Sequence, residues 1–249
     1  MRILVTFAVE AEFAPWRKLR SFRKRDASNI ECFSSQVGDD EVDVLLTGVG
    51  GKKAWVEATR AIWDGDVDIC ISSGLAGGLL SEHQIGEVLV AEKVLASKSD
   101  HGVSSDLSLV QSAAACGAKR VRSFCTADRV IVRSAEKREL GAFADAVEME
   151  SGEVLREAAA FGARAVAIRA ISDTVDEDLP LDFNKVTNNS GGLSVKRVLG
   201  EVVSSPASIP ALIRFAQRSK SAAESLSHFL EHYLRSLAPA MTQTGAAVR

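Results

Sequence analysis

The sequence predicts an α/β fold: a single three-layer domain with a mixed central β-sheet flanked by helices. Three observations carry that prediction. Apolar strand-like runs alternate with helical patterns along most of the chain, beginning with Ile3 to Ala8 and a helix over Glu10 to Arg20. Ala163 to Ile171 is almost entirely apolar, as a parallel strand covered on both faces must be. Ile30 to Gln36 and Glu41 to Thr47, joined across Gly38, Asp39 and Asp40, read as an antiparallel hairpin, so the sheet is mixed. A chain of 249 residues with 46% hydrophobic content can bury a substantial core in one such domain.

The other elements follow in order. Gly48 to Gly51 turns into a helix over Lys52 to Trp63, and a strand from Val67 to Ser72 opens into the glycine-rich loop Ser73 to Leu79. Gly86 to Ala96 reads as a strand, Asp106 to Cys116 as a helix, Val121 to Thr126 as a strand and Ser134 to Leu140 as a short helix. Ala146 and Val147 then lead into an alanine-rich helix that Phe161 and Gly162 end. Beyond Asp173 the stretch Leu179 to Gly192 is loop-like. Two helical patterns follow, Pro206 to Ser219 and Ser221 to Leu237, before a frayed tail. The expected organisation is a domain of residues 1–203 with a helical extension, 204–249, packed on it.

Several function classes are disfavoured. A net charge of -3 offers no basic field for nucleic acid. The apolar start of MRILVTFAVEAE is too short to span a bilayer and runs straight into carboxylates, so it reads as a first strand and not a signal peptide. Cys32, Cys70, Cys116 and Cys125 are scattered, which indicates neither a zinc site nor a disulfide framework and fits a cytoplasmic protein. His228 and His232 share a helix face without a third ligand, and Arg214, Arg218 and Lys220 read as a solvated face or a subunit contact. At Gly48 to Gly51 a phosphate loop fails, since Leu46 and Lys53 stand where glycine and serine or threonine are needed. Ser73 to Leu79 lacks the spacing of a dinucleotide fingerprint. No cofactor and no metal is therefore expected.

The chemistry-bearing residues gather in one stretch. Glu148, Met149 and Glu150 sit at a helix entrance, where free backbone N–H groups and the helix dipole suit carboxylates or hydroxylated ligands. Arg169 lies inside an apolar strand and demands a carboxylate partner. That strand delivers Ser172 and Asp173 to its C-terminal edge, where open α/β sheets bind ligands, and Glu10 and Glu12 reach the same edge if the first strand runs parallel to it. Spacing alone is equally compatible with ordinary acidic residues of a first helical turn and a loop cap at Asp173.

Taken in order, FAVEAE, TGVGG, SGLAGGL, IGEVLVAE, TADRVI, VEMES and RAISD resemble the nucleoside phosphorylase and nucleosidase superfamily, most closely its 5'-methylthioadenosine/S-adenosylhomocysteine nucleosidases. The resemblance spans roughly Arg2 to Asp173, and VEMES followed by RAISD is its specific part. It implies a nucleosidase that releases adenine from a 5'-substituted adenosine. Asp173 matches the acid that protonates N7 of the purine, so it must carry a proton when substrate is bound, and Glu12 matches the residue that activates water. Glu150 and Met149 match the ribose holders, and Arg169 a basic residue that organises the nearby carboxylate and water. Val130 and Ile131, with Ser172, match the purine site; Leu75 and Gly77 belong to the loop near ribose and water. The resemblance also implies a homodimer, with Trp55 or Trp63 as candidates for its interface.

Three departures bear on the substrate. Leu75 stands where these nucleosidases usually present a serine, Val130 replaces an aromatic residue beside the adenine, and Lys98 to Asp106 is shorter than the family's loop around the 5' group. With the tail SSPASIPALIRFAQRSK they resemble the hopanoid-associated phosphorylase-like branch, which acts on an adenosine bearing a lipid at 5'. Two alternatives stay open. One is phosphorolysis, although phosphorylases of this superfamily carry a phosphate-holding arginine in the first loop, where this chain has Glu10 and Glu12. The other is a nucleoside-binding protein without turnover.

Overall fold

The structure is a computed structural model in which residues 1–27, 30–50, 67–96, 102–186 and 208–240 are described. The helix expected over Lys52 to Trp63, and with it Trp55 and Trp63, lies outside the described residues, as do residues 98–101 of the Lys98 to Asp106 loop.

Among the described residues, ten strands make one mixed sheet. The first, β1 (Arg2–Phe7), pairs in parallel with β4 (Asp40–Leu46) on one side and β5 (Ile69–Gly78) on the other. The expected hairpin is present as β3 (Ile30–Val37) and β4, and β2 (Arg23–Ala27), which hydrophobic patterning does not reveal in so charged a segment, adds to its edge. Beyond β5 the sheet curls on itself. Here β5 pairs in parallel with β10 (Arg164–Asp173), which runs antiparallel to β6 (Val88–Ala96). In turn β6 pairs with β8 (Lys119–Thr126), β8 with β9 (Ala146–Glu148), and β9 returns antiparallel to β5, closing a ring of five strands. A short β7 (Gly102–Ser104) lies along β6.

Two apolar layers cover the sheet because successive strand residues face opposite sides. Ile3, Val5 and Phe7 point into one layer with Phe13 and Trp16 of α1 (Glu10–Leu19), Leu109 and Val110 of α2 (Leu107–Ala115), and α6 (Ile209–Ala240). Leu4, Cys70 and Ile171 point into the other, with Val154, Leu155 and Ala158 of α4 (Ser151–Ala160). A smaller cluster, including Ile131, Leu140 and Val147, fills the space beside α3 (Ser134–Leu140).

Two expectations are corrected. The glycine loop Ser73 to Leu79 is not a loop through most of its length: β5 runs on to Gly78, because its N–H and C=O groups find partners in β10 and β9. The two C-terminal helical patterns form one helix of 32 residues, α6. Ser219, Lys220 and Ser221 interrupt the apolar stripe but are neither glycine nor proline, so the backbone continues. Ala222, Leu226, Phe229, Leu230, Tyr233 and Leu237 then recur at helical spacing on the buried face. Glu231 ties this helix to α1, accepting from Trp16 Nε1 at 3.1 Å and from Arg20 Nε and Nη2 at 2.9 and 2.6 Å.

Candidate functional site

Parallel pairing brings the C-terminal ends of β1, β5 and β10 to one edge, as the sequence leads one to expect of the strands carrying Glu12 and Asp173. Glu12 stands in the first turn of α1, and its side chain folds back over the helix entrance. Its Oε2 accepts from the backbone N–H of Ala8 at 3.0 Å and of Val9 at 3.4 Å, and its Oε1 from Leu75 N–H at 2.9 Å. The carboxyl is 8% exposed, and burial holds it above its ordinary range despite the Arg169 charge and these donors. Leu75 therefore reaches Glu12 through its backbone, while its side chain packs on the first apolar layer.

Arg169, expected to need a carboxylate, has two. Its guanidinium is 1% exposed, and Nη2 lies 2.6 Å from Glu148 Oε2 and 3.5 Å from Glu150 Oε2. Nη2 also meets Ser151 Oγ at 3.0 Å, and Nη1 donates to the Ser73 carbonyl at 2.8 Å. The register sets Arg169 opposite Gly74, where a Cβ would lie 2.2 Å from Nη1 and 3.1 Å from Glu12 Oε1. Only glycine leaves room for the guanidinium beside Glu12.

The helix entrance divides its two glutamates. Glu148 is saturated: Oε2 accepts from the N–H groups of Glu150 at 2.9 Å and Ser151 at 2.6 Å as well as from Arg169, and Oε1 from the Thr126 hydroxyl. Among the described residues, Glu150 is left with Gly50 N–H at 3.3 Å and the longer approach to Arg169. Burial first, then Glu148 and Glu12 nearby, push its carboxyl up to about 7 against the pull of Arg169. An underused carboxylate beside a satisfied one is what a ligand-binding group looks like. Met149 packs toward Gly50, its Cε 3.3 Å from the position of a Cβ there.

Asp173 sits at the end of β10, 8% exposed. Its Oδ1 accepts from Ser172 Oγ at 2.7 Å and its Oδ2 from Lys137 Nζ at 2.5 Å. Gly77 of β5 stands opposite, where a Cβ would be 2.9 Å from Oδ2. Along β5 the Glu12 and Arg169 group at Gly74 and Asp173 at Gly77 are three residues apart, about 10 Å at the rise of a strand. Val130 offers its backbone: N–H donates to Asn184 Oδ1 and C=O accepts from Asn184 Nδ2, both at 2.9 Å, from the short helix α5 (Phe183–Val186). Ile131 is buried beside it.

A cavity of about 90 Å³ lies next to Ser172 and Asp173, bounded by Leu179, Pro180 and by Arg214, Phe215 and Arg218 of α6. Arg214 and Arg218 thus line a cavity where the sequence suggests a solvated face or a subunit contact, and Arg218 pairs with Glu177 at 2.5 Å. His228 and His232 are exposed, and no group of three or more potential metal ligands occurs among the described residues.

The site thus brings together Glu12, Leu75, Gly77, Met149, Glu150, Arg169, Ser172 and Asp173, with the Val130 edge tied to Asn184. The residues that spacing missed are Gly74, Lys137 and Asn184, and Glu148 as the principal partner of Arg169. Glu148, in the helix entrance, and Gly74, in the glycine-rich stretch Ser73 to Leu79, carry a usable signal; Lys137 and Asn184 carry none.

A mixed sheet closed into a partial ring, with carboxylates gathered at one strand edge, defines an α/β protein of the nucleoside phosphorylase-like class. The chain belongs to the Phosphorylase superfamily, whose family profile matches residues 2–204. Solved structures agree on the fold. Futalosine hydrolase of Helicobacter pylori, in a mutant form, superposes with a TM-score of 0.70 at 19% identity over 94% of this chain and 98% of that one. The 5'-methylthioadenosine/S-adenosylhomocysteine nucleosidase of the same organism gives 0.72 at 19% identity, over 94% and 97%. The Campylobacter jejuni nucleosidase of that name gives 0.72 at 18%, over 94% and 99%.

Proposed function

We propose that this protein is a nucleosidase that hydrolyses the N-glycosidic bond of a 5'-substituted adenosine and releases adenine. The observation that carries the reading is the pair Glu12 and Asp173, held at separate points of one sheet edge with Glu150 underused beside Arg169. Breaking a ribosyl bond builds positive charge on the sugar, which buried carboxylates stabilise, while an acid at the far end lets the base leave neutral. In this reading Glu12 takes a proton from the attacking water and Asp173 gives one to N7. Glu150 holds the ribose hydroxyls and Met149 packs on the sugar. Arg169 keeps the carboxylates in place.

Once the Asn184 carboxamide gives way, the backbone N–H and C=O of Val130 take the adenine edge, whose N1 and 6-amino group complement them as that carboxamide does. Ile131 and Ser172 border the ring, and Leu75 and Gly77 line the approach to ribose and water. Futalosine hydrolase and the nucleosidases share this fold, which supports hydrolysis of a nucleoside with a 5' substituent without selecting the substituent. The reading carries a homodimer acting in the cytoplasm. Glu10 and Glu12 where a phosphorylase carries its first-loop arginine favour water over phosphate as the nucleophile.

Incubation with 5'-methylthioadenosine, adenosine and further 5'-substituted adenosines, with and without phosphate, tests this directly. Free adenine and free sugar without phosphate are expected. Strict phosphate dependence would reverse the reaction class, and adenine binding without release from any of them would leave a binding protein.

A further inference from the structure

Lys137 is a buried cation that the reading above does not use. It stands in SAEKREL, which patterns as a polar surface helix, yet its side chain is 0% exposed. Its Nζ meets Asp173 Oδ2 at 2.5 Å, the Thr174 carbonyl at 2.9 Å and the Glu177 carbonyl at 3.0 Å. These three acceptors match the three protons of an ammonium. Burying an ammonium is expensive, and an apolar residue on α3 would pack there more easily. The cation is therefore retained for its partner.

That partner is the proposed acid. Ser172 Oγ holds Oδ1 of Asp173 and Lys137 holds Oδ2, so the carboxyl plane is fixed from both sides. Gly77 keeps the neighbouring strand clear of Oδ2. When a protonated Asp173 passes its proton to N7, the C1'–N9 electron pair moves onto the purine, water adds to C1' and gives its proton to Glu12, and Asp173 is left as a carboxylate. An ammonium already in contact stabilises that developing charge without reorganising, which is how preorganised donors lower a barrier.

We propose that Lys137 is a positioning residue for Asp173, orienting its carboxyl at the base end of the site and stabilising the charge that forms there as the proton leaves. The inference rests on the nucleosidase reading. It gives the acid a specific helper that a tether to the following loop would not require, because neutral donors can hold the Thr174 and Glu177 carbonyls.

The test is kinetics on 5'-methylthioadenosine. Lys137→Met is expected to lower kcat roughly 10- to 100-fold with KM within about threefold, and Lys137→Arg to recover much of the loss. In an Asp173→Asn background, Lys137→Met should add less than about threefold, since a residue acting through Asp173 has nothing left to act on. Losses that multiply in the double variant, or an effect confined to KM, would overturn the proposal. Lys137→Gln, which keeps N–H donors for the two carbonyls, runs the same cycle should the methionine variant fail to fold. Wild-type protein that releases no adenine is the separate failure of the nucleosidase reading, seen before any variant is made.

Discussion

Glu150→Gln separates what Glu150 does for function from what it does to stability. Burial pushes the folded-state carboxyl from 4.5 up to about 7, with Glu148 and Glu12 adding to the rise and Arg169 opposing it. The unfolded chain releases that proton at the ordinary value. Between these limits the folded protein binds a proton that the unfolded chain has lost, so stability falls as pH rises. The contribution is fully present below about 4.5 and lost as pH passes about 7. At about 1.4 kcal/mol per pH unit the whole span comes to about 3 kcal/mol. Glutamine keeps the shape and an acceptor for Gly50 N–H at 3.3 Å, but has no proton to lose. Glu12, also raised by burial, stands in both proteins, and loss of the Glu150 charge beside it eases its ionisation, which acts in the same direction as the variant's gain at high pH. The variant should lie within about 1 kcal/mol of wild type at pH 5 and be more stable by about 2 to 3 kcal/mol at pH 8. Urea unfolding followed through tryptophan fluorescence at several pH values measures this. A variant less stable than wild type at pH 8, or a difference that does not grow between pH 5 and 8, would refute the reasoning. On the proposed ribose role the same stabilised variant loses nucleoside hydrolysis, the opposition expected where a carboxylate is kept for binding.

Two further substitutions address the frame around it. Arg169→Met removes the cation 2.6 Å from Glu148 and leaves a buried charge unpaired, which costs about 3 to 5 kcal/mol; a melting temperature lower by roughly 10 °C is expected, and one within about 3 °C of wild type would show that the network does not hold the core. Gly74→Ala sets a Cβ 2.2 Å from Arg169 Nη1 at φ 145 and should destabilise by more than about 2 kcal/mol. Gly38→Ala, with open space around it, should lose only about 1 kcal/mol, so equal losses in denaturant titration would deny the close approach at Gly74.

The sequence by itself determined the layers, most strands and the residues at their ends, because apolar periodicity and strand or helix boundaries are local properties. It also determined that Arg169 needs a carboxylate, since no strand buried on both faces tolerates a lone guanidinium. Tertiary structure decided which carboxylate. Strand pairing closed β8, β9 and β10 around Arg169 and gave it Glu148, satisfied by helix N–H groups, leaving Glu150 available at 3.5 Å. The register of β10 against β5 made a glycine stretch into a strand and set Gly74 under the guanidinium and Gly77 beside Asp173. It was also packing across 36 residues of chain that turned Lys137 from a surface-patterned lysine into the buried partner of Asp173. Charge pairs of this kind carry no periodic signature; they exist only once separate strands and helices have been set side by side.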